Sequence, residues 1–137
     1  MARILHIEDD AAELRVWHRL LAPRGGCLCL FVPARPEIYA PIDRDFGHFR
    51  RYRRKDVGIL LRAAGFQVER LQYFNLIGYF LWWLNFRVRR ARHFNPAMVR
   101  AFDRWIFPVT HGLESRLGSP PIGQSVLAIA RAVTPSR

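Results

Sequence analysis

The stretch Leu20–Pro33 constrains the fold most. It reads as a helix end, a glycine turn, and then an unbroken apolar run, Cys27–Val32. Pro23 ends a helix, because its ring clashes with the preceding turn and it has no N–H to donate. Gly25 and Gly26 provide the positive-φ conformations of a tight helix-to-strand connection. Cys27–Val32 does not alternate, so both of its faces are expected to be covered. That pattern predicts an inner strand of a largely parallel sheet. A piece of buried helix would also read this way, but the Gly-Gly before and the proline after favour the strand.

The remaining elements follow in order. Ile4–Ile7 reads as the end of a strand, and Glu8-Asp9-Asp10 supplies a cap and first-turn acids for a helix. Leu14, Trp17, Leu20 and Leu21 place an amphipathic helix over 10–22. Pro33, Pro36 and Pro41 mark a long irregular connection to about residue 52, of the length that is usually functional or mobile. A helix over Lys55–Ala64 ends at Gly65, and Phe66–Tyr73 forms a second strand near an edge, joined to the first by a βαβ crossover. Phe74–Phe86 is apolar and holds Trp82 and Trp83. Asn95-Pro96 caps another helix, with Val99, Phe102, Ile106 and Val109 as its apolar stripe and a bend at Pro108. Ser125–Ala130 reads as the last strand.

A chain of 137 residues, half of them hydrophobic, makes one domain with one core. Its net charge of +11 is unevenly placed. Residues 1–43 carry five arginines against six acids, and 44–137 carry seventeen basic residues against five. Such a field attracts anionic membranes, nucleic acid or acidic substrates, although a bias of arginine over lysine also reflects base composition. Cys27 and Cys29 share a strand face, which excludes a disulfide between them and falls short of a zinc site. They read as buried, reduced thiols, and with no apolar leader at Met1 a cytoplasmic location is expected.

Two stretches invite a chemical reading. Arg50, Arg51, Arg53, Arg54 and Lys55 lie beside His48 and Tyr52, and a guanidinium fork suits carboxylate or phosphate. The same run also reads as a solvated face, paired in part to Asp43, Asp45 and Asp56. Phe74–Phe86 is too short to span a bilayer, which takes about twenty apolar residues. With Arg87, Arg89, Arg90 and Arg92 after it, it suits an interfacial helix on anionic lipid, or else a helix covering the sheet.

The order of motifs resembles class I S-adenosylmethionine-dependent methyltransferases of the small-molecule branch. Ile4-Leu5-His6-Ile7-Glu8-Asp9-Asp10 is similar to the segment after that family's fourth strand. Leu21-Ala22-Pro23-Arg24-Gly25-Gly26 resembles its turn into the fifth strand, with Arg24 as an extra residue. Leu61–Phe66 resembles its last crossover, and Gly123–Ala130 its closing antiparallel strand. A bacterial subgroup also carries the pattern seen here as Asp43-Arg44, Gly47-His48 and Arg50-Arg51-Tyr52.

The resemblance implies an α/β fold. The expected fold is a partial Rossmann-like sheet with strands equivalent to the family's end of four, then five, six and antiparallel seven, within a single domain over 1–137. It covers the family's C-terminal half. The cofactor implied is S-adenosylmethionine, whose main binding residues are absent from this chain. Gly25-Gly26 is no substitute, because it enters a strand whereas nucleotide-cradling glycines leave one. By resemblance Leu5 and His6 lie next to the cofactor, with Leu5 where the family often has Glu, and His6 positions an acceptor or takes its proton. Asp43, His48, Arg51 and Tyr52 bind the acceptor. The expected function is therefore the acceptor-binding half of a truncated methyltransferase, with no independent methyl transfer. A basic, non-catalytic module on membrane lipid or nucleic acid is the alternative. Expected partners are a small-molecule acceptor, anionic or lipid-linked, an N-terminal half or a second copy, and a membrane surface. Nucleic acid is the weakest, since no recognition motif for it is present. An open strand edge along Ile4–Ile7 or Cys27–Val32 predicts dimerisation or poor solubility.

Overall fold

The protein is described by a computed structural model over residues 11–48, 50–93 and 95–134, together with the backbone of 3–5. Strands β1 (Arg3–Leu5), β2 (Cys27–Pro33), β3 (Phe66–Phe74) and β4 (Ser125–Ala132) form one sheet in the order β1-β2-β4-β3. β1 and β2 are parallel, whereas β4 runs antiparallel to both of its neighbours. The architecture is mixed α/β, with the reversed closing strand that the resemblance implies. It corrects the largely parallel sheet expected from the apolar run, because β4 enters between β2 and β3. The two strands joined by the crossover are thus not neighbours.

Helices α1 (Ala11–Leu21) and α3 (Arg54–Ala63) both pack on one side of this sheet. Leu14 from α1 and Val57 and Leu61 from α3 meet Leu28, Leu30 and Val32 of β2 and Val126 of β4 in the core. Each such side chain, fully buried, contributes roughly 1.5–3 kcal/mol. Ala128, Ala130 and Ala132 present only methyl groups to that side, so α3 packs against β3 and β4 together. Leu20, expected in the packing stripe of α1, is 62% exposed.

The opposite face is covered at one end only. Along β2 the buried residues alternate with Cys27, Cys29 and Phe31, which are partly or largely exposed. The expectation of two covered faces and buried thiols is therefore corrected: β2 has one dry face. Phe31 pairs with Leu127 and Cys29 with Ile129, extending the half-open strip onto β4. β2 pairs with β4 along its whole length and with β1 over Leu28–Leu30, so over that span the edge position expected of Cys27–Val32 passes to β1.

Local turns follow the sequence closely, with two corrections. Gly25 and Gly65 adopt the left-handed φ of +58° and +95° required of residues that leave a helix. Gly26 does not; its N–H donates to the Leu21 carbonyl at 3.0 Å, and a Cβ there would lie 2.8 Å from the Leu21 side chain. The connection after β2 is not irregular. It holds a 3-10 turn (Pro36–Ile38) and the short α2 (Pro41–Asp45), and Ala34 bridges Tyr52 in parallel, so the loop closes on its own stem.

Between β3 and β4 lies a helical cap. It begins with α4 (Leu76–Trp82) and a π-helical segment (Trp83–Val88). After Asn95, whose side chain caps the amides of Ala97 and Met98, a helical rod runs through α5 (Pro96–Ala101), a second π segment (Phe102–Ile106) and α6 (Phe107–Leu117). The departure from α geometry falls in the turn before Pro108, which has no N–H to give back to that turn. Ile106 and Val109, expected on the buried stripe, are 40% and 62% exposed.

Candidate ligand-binding site

The carboxyl ends of β2 and β3 meet the start of β4 at Gln124. In open α/β sheets this edge holds the ligand crevice. The Gln124 backbone N–H donates to Asn75 O at 3.1 Å, and its carbonyl accepts from the Ala34 N–H at 2.8 Å. Its side-chain oxygen accepts from Asn75 Nδ2 at 3.1 Å. Asn75 takes a left-handed φ of +65°, which a short amide side chain tolerates, and its Oδ1 caps the Gly78 N–H at 2.8 Å. A Cβ on Gly78 would lie 2.2 Å from Asn75 Nδ2 and 2.3 Å from Gln124 Oε1. A side chain at this position would therefore displace the amide pair.

Arg51 and Asp43 form the buried part of the same edge, with side chains 2% and 1% exposed. Arg51 Nη2 donates to Asp43 Oδ1 at 2.7 Å, and Nε reaches both carboxylate oxygens at 3.0 Å. Its Nη1 donates to the carbonyls of Ala34 and Gln124, and its guanidinium lies 4.6 Å from the Trp82 ring centroid. Asp43 also accepts from the Ala40 N–H at 2.8 Å. The run 50–55 thus splits. Arg51 is spent inside the fold, whereas Arg50, Arg53, Arg54 and Lys55 are exposed.

Structure gathers the expected acceptor residues into one cluster facing inward. Tyr52 is buried, its backbone is paired with Pro33 and Arg35, and Arg50 lies over its ring. His48 is half-buried and donates its N–H to the Asp43 carbonyl. Leu5 ends β1, described by its backbone only, and His6 lies outside the described residues. Beside the cluster, burial works against the Arg35 charge, but Tyr73 and Glu37 more than offset it and hold the guanidinium above its ordinary value.

A cavity of about 270 Å³ opens next to this network, between α4 with its π segment and the rod that follows. Asn75, Gly78 and Gln124 form its floor. Trp82 and Phe86, their rings 4.6 Å apart, form one wall, and Met98 and Phe102 stand opposite. Asn85 also lines it and is 9% exposed. Its Nδ2 reaches only the Met98 sulfur, at 3.7 Å, and its Oδ1 accepts no hydrogen bond among the described residues. The cavity is therefore a largely apolar slot, with the Asn85 amide and the Asp103 carboxylate in its lining able to pair with a ligand.

No family model and no curated protein matches the chain. Among solved structures the chain is similar to a Bacillus halodurans C-125 protein described as a "putative methyltransferase", at 21% identity and a TM-score of 0.45. That likeness covers 90% of this chain and 58% of the other, so the chain spans little more than half of its length.

The described residues do not fit a sulfonium nucleotide. No described strand leads through a glycine turn into a helix, and the one buried carboxylate described, Asp43, is engaged by Arg51. Sequence reading missed the floor and the amide. Asn75 three residues before Gly78 is a cap signal of the same kind as Asn95-Pro96, but it was hidden inside an apolar run. Nothing local marks Asn85.

Glu114 ties the cap to this floor. Its carboxylate accepts from the backbone N–H groups of Asn75 at 3.1 Å and Leu76 at 2.8 Å, at the start of α4. Glu114→Ala is expected to cost about 1.5–3 kcal/mol, the usual value for hydrogen bonds to a charged group. Faster amide hydrogen exchange confined to Asn75 and Leu76 would report it; unchanged exchange there would refute the cap.

Proposed function

We propose that this chain provides the acceptor-binding side of a small-molecule methyltransferase that uses S-adenosylmethionine. The aromatic slot beside Gln124, at the carboxyl edge of the sheet, carries the reading. The closing antiparallel strand and the resemblance in motif order support it. In this reading the slot takes a flat apolar acceptor, and Asn85 Oδ1 accepts a hydrogen bond from a hydroxyl on that acceptor. Asp43, Arg51 and Tyr52 hold the loop that backs the slot, and His48 stands at its margin. His6, which follows β1 in the chain, is the residue assigned to orient the acceptor or take its proton. S-adenosylmethionine supplies the methyl group when bound, and its main contacts belong to residues outside those described here.

Calorimetry with 1-naphthol as the probe is expected to show saturable binding. Asn85→Leu, which keeps the size of the side chain and removes the amide, should weaken it roughly tenfold, as expected when a buried hydroxyl loses its partner. The same titration with S-adenosylmethionine should give no saturable heat. Naphthol binding that ignores Asn85 would remove the acceptor assignment, and tight uptake of the cofactor would remove the division of labour.

A further inference from the structure

The rod over 96–117 contains no buried residue along its length. On it Trp105, Val109, Leu113 and Leu117 recur at every fourth position, with exposures of 69%, 62%, 52% and 83%. That spacing aligns them along one side of a helix. It is not the side that meets the sheet, where Phe107 and His111 touch Phe74 and Glu114 caps α4. A groove of about 350 Å³ joins Leu113 and Leu117 to Leu76 and Ile77 of α4, so the apolar strip crosses from one helix to the next. Single exposed apolar residues are ordinary, but an aligned row continuous with a groove marks an interaction surface.

Its charges indicate what the surface meets. Residues 76–117 carry seven arginines against two carboxylates, and Glu114 is already engaged by the α4 amides. Arg104 lies 5.6 Å from the Trp105 ring centroid, placing a cation and an amphipathic aromatic at one spot. The interfacial segment expected from the sequence, Phe74–Phe86, contributes Leu76 and Ile77 to this surface, whereas its Phe86 is 4% exposed and its Trp82 packs on Arg51.

We propose that the Trp105–Leu117 strip and its groove dock on an anionic lipid bilayer, with α6 lying in the plane of the interface. Anionic headgroups neutralise the arginines while the apolar row enters the acyl boundary. A second copy fits worse, because pairing two such faces brings like charges together. No helix among the described residues is long and apolar enough to cross a membrane, so the contact lies on the surface.

Sedimentation of the full chain with phosphatidylcholine vesicles, with and without phosphatidylglycerol, tests this. Binding is expected only to the anionic vesicles, falling as salt shortens the Debye length, and with a blue shift in tryptophan emission. The double variant Val109→Asp, Leu113→Asp changes only exposed positions and should reduce binding roughly tenfold or more at unchanged circular dichroism. Arg100→Gln with Arg104→Gln should weaken binding at low salt and flatten its salt dependence. Four results would overturn the proposal: no binding to anionic vesicles at low salt, binding indifferent to the aspartates, a lipid-free dimer that the aspartates dissolve, or displacement of vesicles by a short DNA duplex.

Discussion

Arg51→Ala is expected to destabilise the fold by about 3–5 kcal/mol, the range for a buried ion pair that loses one partner. The substitution leaves the Asp43 carboxylate, 1% exposed, with the Ala40 N–H as its one remaining donor among the described residues. It also frees the carbonyls of Ala34 and Gln124 from Nη1 and takes the cation from the Trp82 face. Against a typical total of about 5–15 kcal/mol, that is a large fraction of the stability. Urea unfolding measures it directly. Adding Asp43→Leu to Arg51→Ala should recover part of the loss, because a buried pair replaced by apolar groups is often neutral, whereas a broken one is not. An unchanged midpoint for Arg51→Ala would mean that the pair is solvated.

Gly123→Ala should be nearly as damaging, for a steric reason. A Cβ there would sit 2.4 Å from the Phe74 carbonyl oxygen and 2.8 Å from the Phe74 nitrogen. Both are backbone atoms of β3, so no rotamer relieves the contact; the start of β4 must move away. The expected cost is about 3 kcal/mol, at the upper end for overpacking. The Gln124–Asn75 hydrogen bonds and the cavity floor should go with it, seen as large shifts of the Gln124 and Gly78 amide resonances. Gly112→Ala is the matched control. It meets nothing within 4 Å on α6 and should stabilise by roughly 0.5–1 kcal/mol through helix propensity. Equal behaviour of the two variants would contradict the close approach at Gly123.

What the sequence made legible was mostly local. Gly25, Gly65 and Asn95-Pro96 each act on their own turn, and each sits in the conformation expected of it. The strand and helix boundaries at 27–33, 54–63 and 66–74 follow from periodicity over the same short range. The failures depended on distant partners. Whether Cys29 and Phe31 are covered depends on what lies over the sheet, and six apolar residues in a row look alike with one dry face or two. The run of basic residues over 50–55 hid the fact that Arg51 alone turns inward, since Asp43 is eight positions away and Trp82 thirty-one. The slot was invisible for the same reason: Asn75 and Gln124 meet only through the sheet.

The placement of β4 has a consequence for how the chain is made. It is the last of the described strands to leave the ribosome, yet it stands between β2 and β3, which hydrogen-bond to it and not to each other. Until it emerges, the nascent chain can form α1, α3 and the hairpin-free strands but cannot zip them together. Long-range closure of this kind is slow, and waiting strand edges are where unfinished chains stick to one another. The yield of intact protein should therefore respond more to chaperone supply and temperature during expression than to the stability of the finished fold.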